Sequence, residues 1–232
     1  MWDIKGLVCE FCHSESLQEF INDRFNDKNK VIIDSECVSH VVMKNGDLFY
    51  VSKDLGSSAF VYREYKFDDI RKDDIVIDIG ANIGGFCIPA SRMSSRVYAV
   101  EPITVKELRE NISLNKRDIH IIEGALGNGD ILEIKWEGVH KQLKTMTLSD
   151  IKGFCGGCDF LKVDYEGGEW FIKPDELEGI RRIEMEVHGT GKQSCSEMED
   201  ILKKAGFNYN YSERSSYLGE FNILWLVHAT RK

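Results

Sequence analysis

Five apolar runs in this 232-residue chain end on or beside a carboxylate. The stretches are Asp78-Ile79-Gly80, Glu101-Pro102, Glu123-Gly124-Ala125, Asp164-Tyr165-Glu166 and Glu186-Val187-His188. A single acid at such a point often only caps a helix. Five in succession exceed that need. They point to a ligand with positive charge, or to proton transfer by a positioned side chain. Asp164 is the first candidate for a base or a substrate-orienting carboxylate, because it ends a strand-like run. His188 is the second, since imidazole titrates near neutral pH. Glu166 stands open to either role, while Glu169 reads as an acid at a helix start.

The first of these stretches belongs to a glycine-broken turn, Gly80-Ala81-Asn82-Ile83-Gly84-Gly85. A dinucleotide loop needs a glycine where Asn82 stands, so that backbone can approach a pyrophosphate. Asp78 would repel that pyrophosphate. Both features argue against NAD, the main rival on spacing. A sulfonium, an ammonium and a ribose without phosphate suit the acidic ring better, and S-adenosyl-L-methionine carries all three. Glu101, at the end of the next run, is placed to accept hydrogen bonds from a ribose diol. Loop residues Asp78, Gly80, Ala81, Asn82 and Gly84 are the expected cradle. Pro102, Gly124, Ala125 and Leu126 complete it from neighbouring strand tips. Tyr165 offers an aromatic face to adenine or to the sulfonium.

These residues require a particular scaffold. Ile75–Ile79, Val97–Val100, Ile119–Ile122, Phe160–Val163 and Ile183–Val187 read as buried strands. Helical patterns lie between them, over Gly84–Met93 and along Val105, Leu108 and Ile112. Ile131–Trp136 reads as a hairpin in an otherwise irregular stretch. Ser194-x-x-Glu197 caps a helix that Gly206 ends. Phe207–Tyr211 and Phe221–Val227 form a closing antiparallel pair. The class is α/β, a mostly parallel, doubly wound sheet whose ligands bind at the carboxyl ends of the strands. Residues 71–232 form this catalytic unit. Residues 1–70 form a small α+β segment with a capped helix from Ser16 and a hairpin around Asn45-Gly46, placed for contacts to substrate or to a second copy.

The net charge of −9 disfavours a broad phosphate-binding surface, so nucleic acid is an improbable partner. No apolar run reaches the ~18 residues of a membrane span, and the N-terminus lacks the apolar core of a signal peptide. The seven cysteines, an odd number, read as reduced thiols of a cytoplasmic protein. Cys9-x-x-Cys12 and Cys155-x-x-Cys158 could jointly hold zinc in an interaction protein, but they lie too far apart for a compact zinc motif. No metal is assigned from spacing.

The segments IVIDIGANIGGF, VYAVEP, EGALGN, DFLKVDYEGGEW and IEMEVHG resemble, in order and spacing, the motifs of FkbM-like methyltransferases over about residues 60 to 190. The resemblance implies a Rossmann-like methyltransferase fold, S-adenosyl-L-methionine as donor, and transfer to a hydroxyl oxygen of a sugar or other small molecule. The loop after Asp164 lacks the prolines of amine-directed nucleic-acid methylases. The LRENISLNK helix is similar to those of tRNA guanine methyltransferases, which keeps RNA as the second acceptor class.

Overall fold

The computed structural model describes residues 30–33, 39–42, 47–51, 65–136, 139–189, 194–218 and 221–231. Three short strands come first: β1 (Lys30–Ile33), β2 (Ser39–Val42) and β3 (Leu48–Val51). They form an antiparallel sheet in the order β1-β2-β3, with Val42 opposite Leu48. That pairing matches the hairpin expected there. The expected helix from Ser16, and Cys9, Cys12 and His13, lie outside the described residues.

The main sheet takes β4 (Ile75–Ile79), β5 (Arg96–Val100), β6 (His120–Ile122), β9 (Phe160–Val163), β10 (Arg182–Gly189), β11 (Asn208–Leu218) and β12 (Phe221–Thr230). Its order is β11-β12-β10-β9-β4-β5-β6. The five central and β6-side strands run parallel, and β12 lies antiparallel to both β10 and β11. Five parallel strands closed by an antiparallel hairpin are the topology of a class I methyltransferase, as expected. Among the described residues, strands β7 (Ile131–Trp136) and β8 (Val139–Lys144) pair only with each other. The single hairpin expected within Ile131–Trp136 is thus the first arm of a two-stranded ribbon.

Successive residues of a strand face opposite sides of a sheet. Val76, Ala99 and Phe160 accordingly pack on one face, with Phe86, Ile88, Leu108 and Ile112. These come from α1 (Cys87–Ala90), its N-cap, and α2 (Val105–Leu114). Ile77, Leu161 and Met185 face the other side, against Leu148 and Ile151 of α3 (Leu148–Cys155) and Met198 and Leu202 of α4 (Cys195–Lys204). Helices on both faces explain why the strands read as continuous apolar runs.

Two elements differ from the expectation. The helix expected over Gly84–Met93 has regular α-structure only over Cys87–Ala90: Pro89 has no N–H to give Gly85 O on the N-terminal side, and Arg92 N and Met93 N bond to the carbonyls of Pro89 and Ala90, three residues back, on the other. The stretch read as irregular contains α3. Its start is a reciprocal cap: Thr147 Oγ1 accepts from Asp150 N at 3.1 Å, and Asp150 Oδ2 accepts from Thr147 N at 3.0 Å. Such a cap contributes about 1 kcal/mol. At α4 the expected cap is present, with Glu197 Oε2 accepting from Ser194 N at 2.7 Å.

The first sheet docks on this core. Phe49 is buried with Val76 and Phe86. Asp47, also buried, accepts from Arg92 Nε at 3.0 Å. No helix among the described residues is long and apolar enough to cross a membrane.

Candidate functional site

Three neighbouring strands bring charged residues into one row. Asp78 on β4 pairs in register with Lys162 on β9, and Lys162 with Glu184 on β10. All three are buried. Lys162 Nζ lies 3.0 Å from Asp78 Oδ1 and donates to Gly80 O at 2.9 Å. It also stands 3.9 Å from Asp164 Oδ2 and 5.4 Å from the centre of the Tyr65 ring. Burial would lower the Lys162 pKa, but the carboxylates of Asp78 and Asp164 more than offset this and raise it, so the ammonium is charged. Asp78 is therefore not an open anion at the mouth of the loop, as its place in the sequence suggests. Its other oxygen, Oδ2, accepts from Cys87 N at 3.1 Å; burial raises its pKa, and the Lys162 ammonium works against that rise.

The glycine loop leaves β4 and turns sharply. Gly80 has φ 73°, and a Cβ there would lie 1.8 Å from the Asp164 carbonyl oxygen. Glycine is required because the β4 and β9 tips touch through backbone. Asn82 has φ 49°, a left-handed conformation that asparagine tolerates better than most residues. This explains an asparagine where a dinucleotide loop has glycine. Glu101 ties the loop to the next strand. Its Oε2 accepts from Asn82 N at 2.9 Å, and its Oε1 from Ile103 N at 2.7 Å and Thr104 N at 2.9 Å. A carboxylate offers about four lone-pair directions, so one remains for a ligand.

Beside this tip the Tyr165 hydroxyl is buried without a hydrogen-bond partner. Burial, with the Glu101 carboxylate as a second cause, pushes its pKa up, so it stays a phenol able to donate. The Tyr165 ring fills the space a Cβ on Gly168 would need, at 1.8 Å, which accounts for the second glycine of Asp-Tyr-Glu-Gly-Gly-Glu. Pro102, Gly124, Ala125 and Leu126 are all buried nearby in sequence order along the strand tips. Ala125 O accepts from Met146 N at 2.8 Å, while Pro102 O accepts from Lys141 Nζ at 2.9 Å. Glu123 pairs with the same Lys141 Nζ at 2.9 Å.

A second group of acids gathers at the β9 and β10 tips. Glu184, Glu186 and His188 alternate along β10 and share one face. His188 lies inside the strand rather than beyond it, beside a register shift in which β12 carries the extra residue. Trp170 Nε1 donates to His188 O at 2.7 Å, and Glu169 Oε1 accepts from His188 N and lies 3.3 Å from Nδ1. Glu169, read as a simple helix-start acid, is fully buried and clamps the histidine. On the other side, His188 Nε2 faces Glu166 Oε2 at 3.6 Å, Asp164 Oδ1 at 3.9 Å and Glu186 Oε1 at 3.9 Å. Burial works to lower the His188 pKa. Glu169, with Asp164 and Glu166 behind it, overcomes that and raises it to about 9. A histidine so charged at neutral pH has no free lone pair to take a proton, which leaves Asp164 as the better base.

Two residues escaped the sequence reading. Lys162 hid in what looked like an apolar run, although a lysine inside a four-residue buried strand is itself a signal. Tyr65 donates to Asp164 Oδ2 at 2.9 Å and stands 3.2 Å from Glu186 Oε2. No local pattern marks it, since its partners are 99 and 121 residues away. Cys155 and Cys158 are buried free thiols. Burial pushes Cys155 up to about 12 and raises Cys158 as well, so neither is a thiolate.

The chain matches the family described as the Methyltransferase FkbM domain over residues 78–209. No protein of curated function matches it. Among solved structures it is similar to M. jannaschii TYW2 in complex with AdoMet, at 17% identity, 88% of this chain, 85% of that chain and a TM-score of 0.49. It is also similar to precorrin-6y C5,15-methyltransferase from Geobacter metallireducens GS-15, at 14% identity, 79% and 94% coverage and a TM-score of 0.49. Magnesium protoporphyrin IX methyltransferase from Synechocystis PCC 6803 with bound SAM gives 12% identity, 96% and 94% coverage and a TM-score of 0.48. At such identities these likenesses say nothing of the acceptor. The family match covers more than half of the chain and takes in the glycine loop, the Glu101 tip and the whole Asp164–His188 cluster. The chain belongs to the FkbM family of S-adenosylmethionine-dependent methyltransferases.

Proposed function

We propose that this methyltransferase acts on a hydroxyl oxygen of a sugar or another small molecule, with Asp164 taking or orienting the hydroxyl proton. The observation that carries the reading is the placement of Asp164. Its Oδ2 is held by the Tyr65 hydroxyl and faces the Lys162 ammonium, while Oδ1 points toward the Glu166 and His188 side. A hydroxyl must lose its proton as it becomes an ether. A positioned carboxylate removes that proton at a gain of ~10² to 10⁴ in rate. An acidic crescent of Asp164, Glu166 and Glu186 also repels phosphate, and the chain as a whole carries −9, so a small neutral acceptor fits better than RNA. A methyl-transfer screen with labelled donor decides between them. The reading predicts incorporation into a sugar, phenol or alcohol and none into tRNA. Labelling of tRNA alone would overturn it.

S-adenosylmethionine supplies an electrophilic methyl group on a sulfonium that departs as a neutral thioether. The residues at the loop fit it, because a buried carboxylate with one free lone-pair direction and a buried unpartnered phenol lie together there. We assign Glu101 to the ribose diol and Tyr165 to the adjoining polar edge. The backbone of Gly80, Ala81, Asn82 and Gly84 supports them, with Pro102, Gly124, Ala125 and Leu126 as walls. Asp78 acts through Lys162 rather than on the ligand. Glu101→Gln should weaken S-adenosylmethionine binding about tenfold to a hundredfold, since a hydrogen bond to a charged group is worth ~1.5–3 kcal/mol. Calorimetry reads this directly. Unchanged affinity in a protein that melts lower would mean that Glu101 serves only to fasten Asn82, Ile103 and Thr104.

The segment before residue 71 is assigned to the acceptor side. Tyr65 supports this by its contacts with Asp164 and Glu186. So does Lys66 N, which donates to Glu184 Oε2 at 2.9 Å.

A further inference from the structure

We propose that Asp164, Glu166 and His188 form a site for one divalent cation of the Mn2+ class, with Glu186 beside it, at the end of β9 and β10. Spacing in the sequence gives no hint of this, because the ligands come from two strands and the turn after one of them. In space, one ligand atom from each of the three lies within 4.8 Å of the others. His188 is the observation that lifts the group above a mere collection of acids. Its side chain is 1% exposed, and Nε2 aims at three carboxylate oxygens at 3.6 to 3.9 Å, beyond hydrogen-bond reach of each. Its Nδ1 is buried without a hydrogen bond, and a buried imidazole rarely lacks one. Around an ion with bonds of about 2.0 to 2.2 Å, neighbouring donors stand about 3 to 3.5 Å apart. The distances from Nε2 to Glu166 Oε2 and Asp164 Oδ1, 3.6 and 3.9 Å, approach that value.

The surroundings hold these donors as metal sites do. Metal-bound histidines commonly have their second nitrogen against a carboxylate. Glu169 takes that place, 3.3 Å from Nδ1 and fixed by Gly167 N at 3.0 Å. Tyr65 engages Asp164 Oδ2, and Asp164 Oδ1 is the oxygen of that carboxylate that faces Nε2. One imidazole with carboxylates suits a hard-to-borderline ion such as Mn2+ better than a thiolate-seeking one, and the ion would displace the Nε2 proton of the otherwise charged His188, so that binding releases a proton. The set is open on one side, since the Glu166 side chain is 52% exposed against 1% for His188. Remaining positions on the ion would take oxygens of the acceptor. That last step rests on the hydroxyl reading above; cation binding does not.

The test uses the full chain after treatment with EDTA, titrated with MnCl2, with free Mn2+ followed by its paramagnetic resonance signal. One Mn2+ per chain is expected. Glu166→Gln and Asp164→Asn should each raise the dissociation constant at least about tenfold, the lower end of what disturbed metal shells show. Glu110→Gln, an exposed change on α2, should leave it unaltered. Glu166 is exposed, so its variant folds normally, which circular dichroism checks. No binding at millimolar Mn2+ overturns the proposal, as does binding that either ligand variant leaves within tenfold of the parent. A nitrogen or RNA acceptor in the methyl-transfer screen would remove the hydroxyl reading and leave Mn2+ binding standing.

Discussion

Lys162→Met is expected to destabilise the protein by about 3 to 5 kcal/mol, the largest effect of any single change considered for this chain. The methionine has similar length and fits an apolar strand. What it removes is the positive charge that Asp78 faces at 3.0 Å. Asp78 is fully buried, so its carboxylate would be left without a counter-charge, keeping only the bond from Cys87 N. The Gly80 carbonyl would lose its donor as well. Adding Asp78→Asn to Lys162→Met should recover most of the loss, because removing both members of a buried pair is often close to neutral. Urea denaturation of the single and double variants measures the coupling. A Lys162→Met protein as stable as the parent would mean that Asp78 takes up a proton at no cost, and the charged row would then have no structural weight.

Asp164→Asn should yield a folded protein that binds S-adenosylmethionine with unchanged affinity and transfers methyl at least about a hundredfold more slowly. Asparagine keeps an oxygen that accepts from the Tyr65 hydroxyl, so the contact at 2.9 Å survives in kind. It loses the charge and the ability to take a proton. If Asp164 instead orders the cofactor, affinity and rate should fall together, since ground-state and transition-state contacts are then lost at once. Equilibrium binding and a single-turnover rate on this variant separate the two. Full activity would refute both roles and move attention to Glu166.

The sheet was readable in the sequence because both its faces are covered. Runs such as Ile75–Ile79 and Phe160–Val163 stand out as uninterrupted apolar stretches, and their order with the intervening helices implies a parallel sheet. The same habit of reading concealed Lys162. A lone polar residue in a short buried run is easily counted as noise, yet here it is the centre of the site. Asn82 was legible as an exception to the dinucleotide pattern, but its reason, a left-handed backbone tied to Glu101, needed the structure. Asp78 looked like a guard at the loop mouth because sequence shows adjacency and not direction. Strand alternation turns it toward Lys162. Glu169 looked like a helix-start acid, since nothing local indicates that His188 arrives beside it from another strand. Tyr65 could not be found from spacing at all. Its role depends on a chain segment folding back across the ends of β9 and β10.

That return of the chain bears on inheritance within the family. The stretch that defines the family, residues 78–209, holds the donor loop and the acid cluster. Yet the hydroxyl that touches Asp164 and Glu186 belongs to Tyr65, outside that stretch. The stretch that matches the family and the candidate site therefore have different borders. Transplanting residues 78–209 into another protein would carry over two facing carboxylates without the group that lies between them. A change at Tyr65 would alter the contact between Asp164 and Glu186 while leaving every motif of that stretch intact.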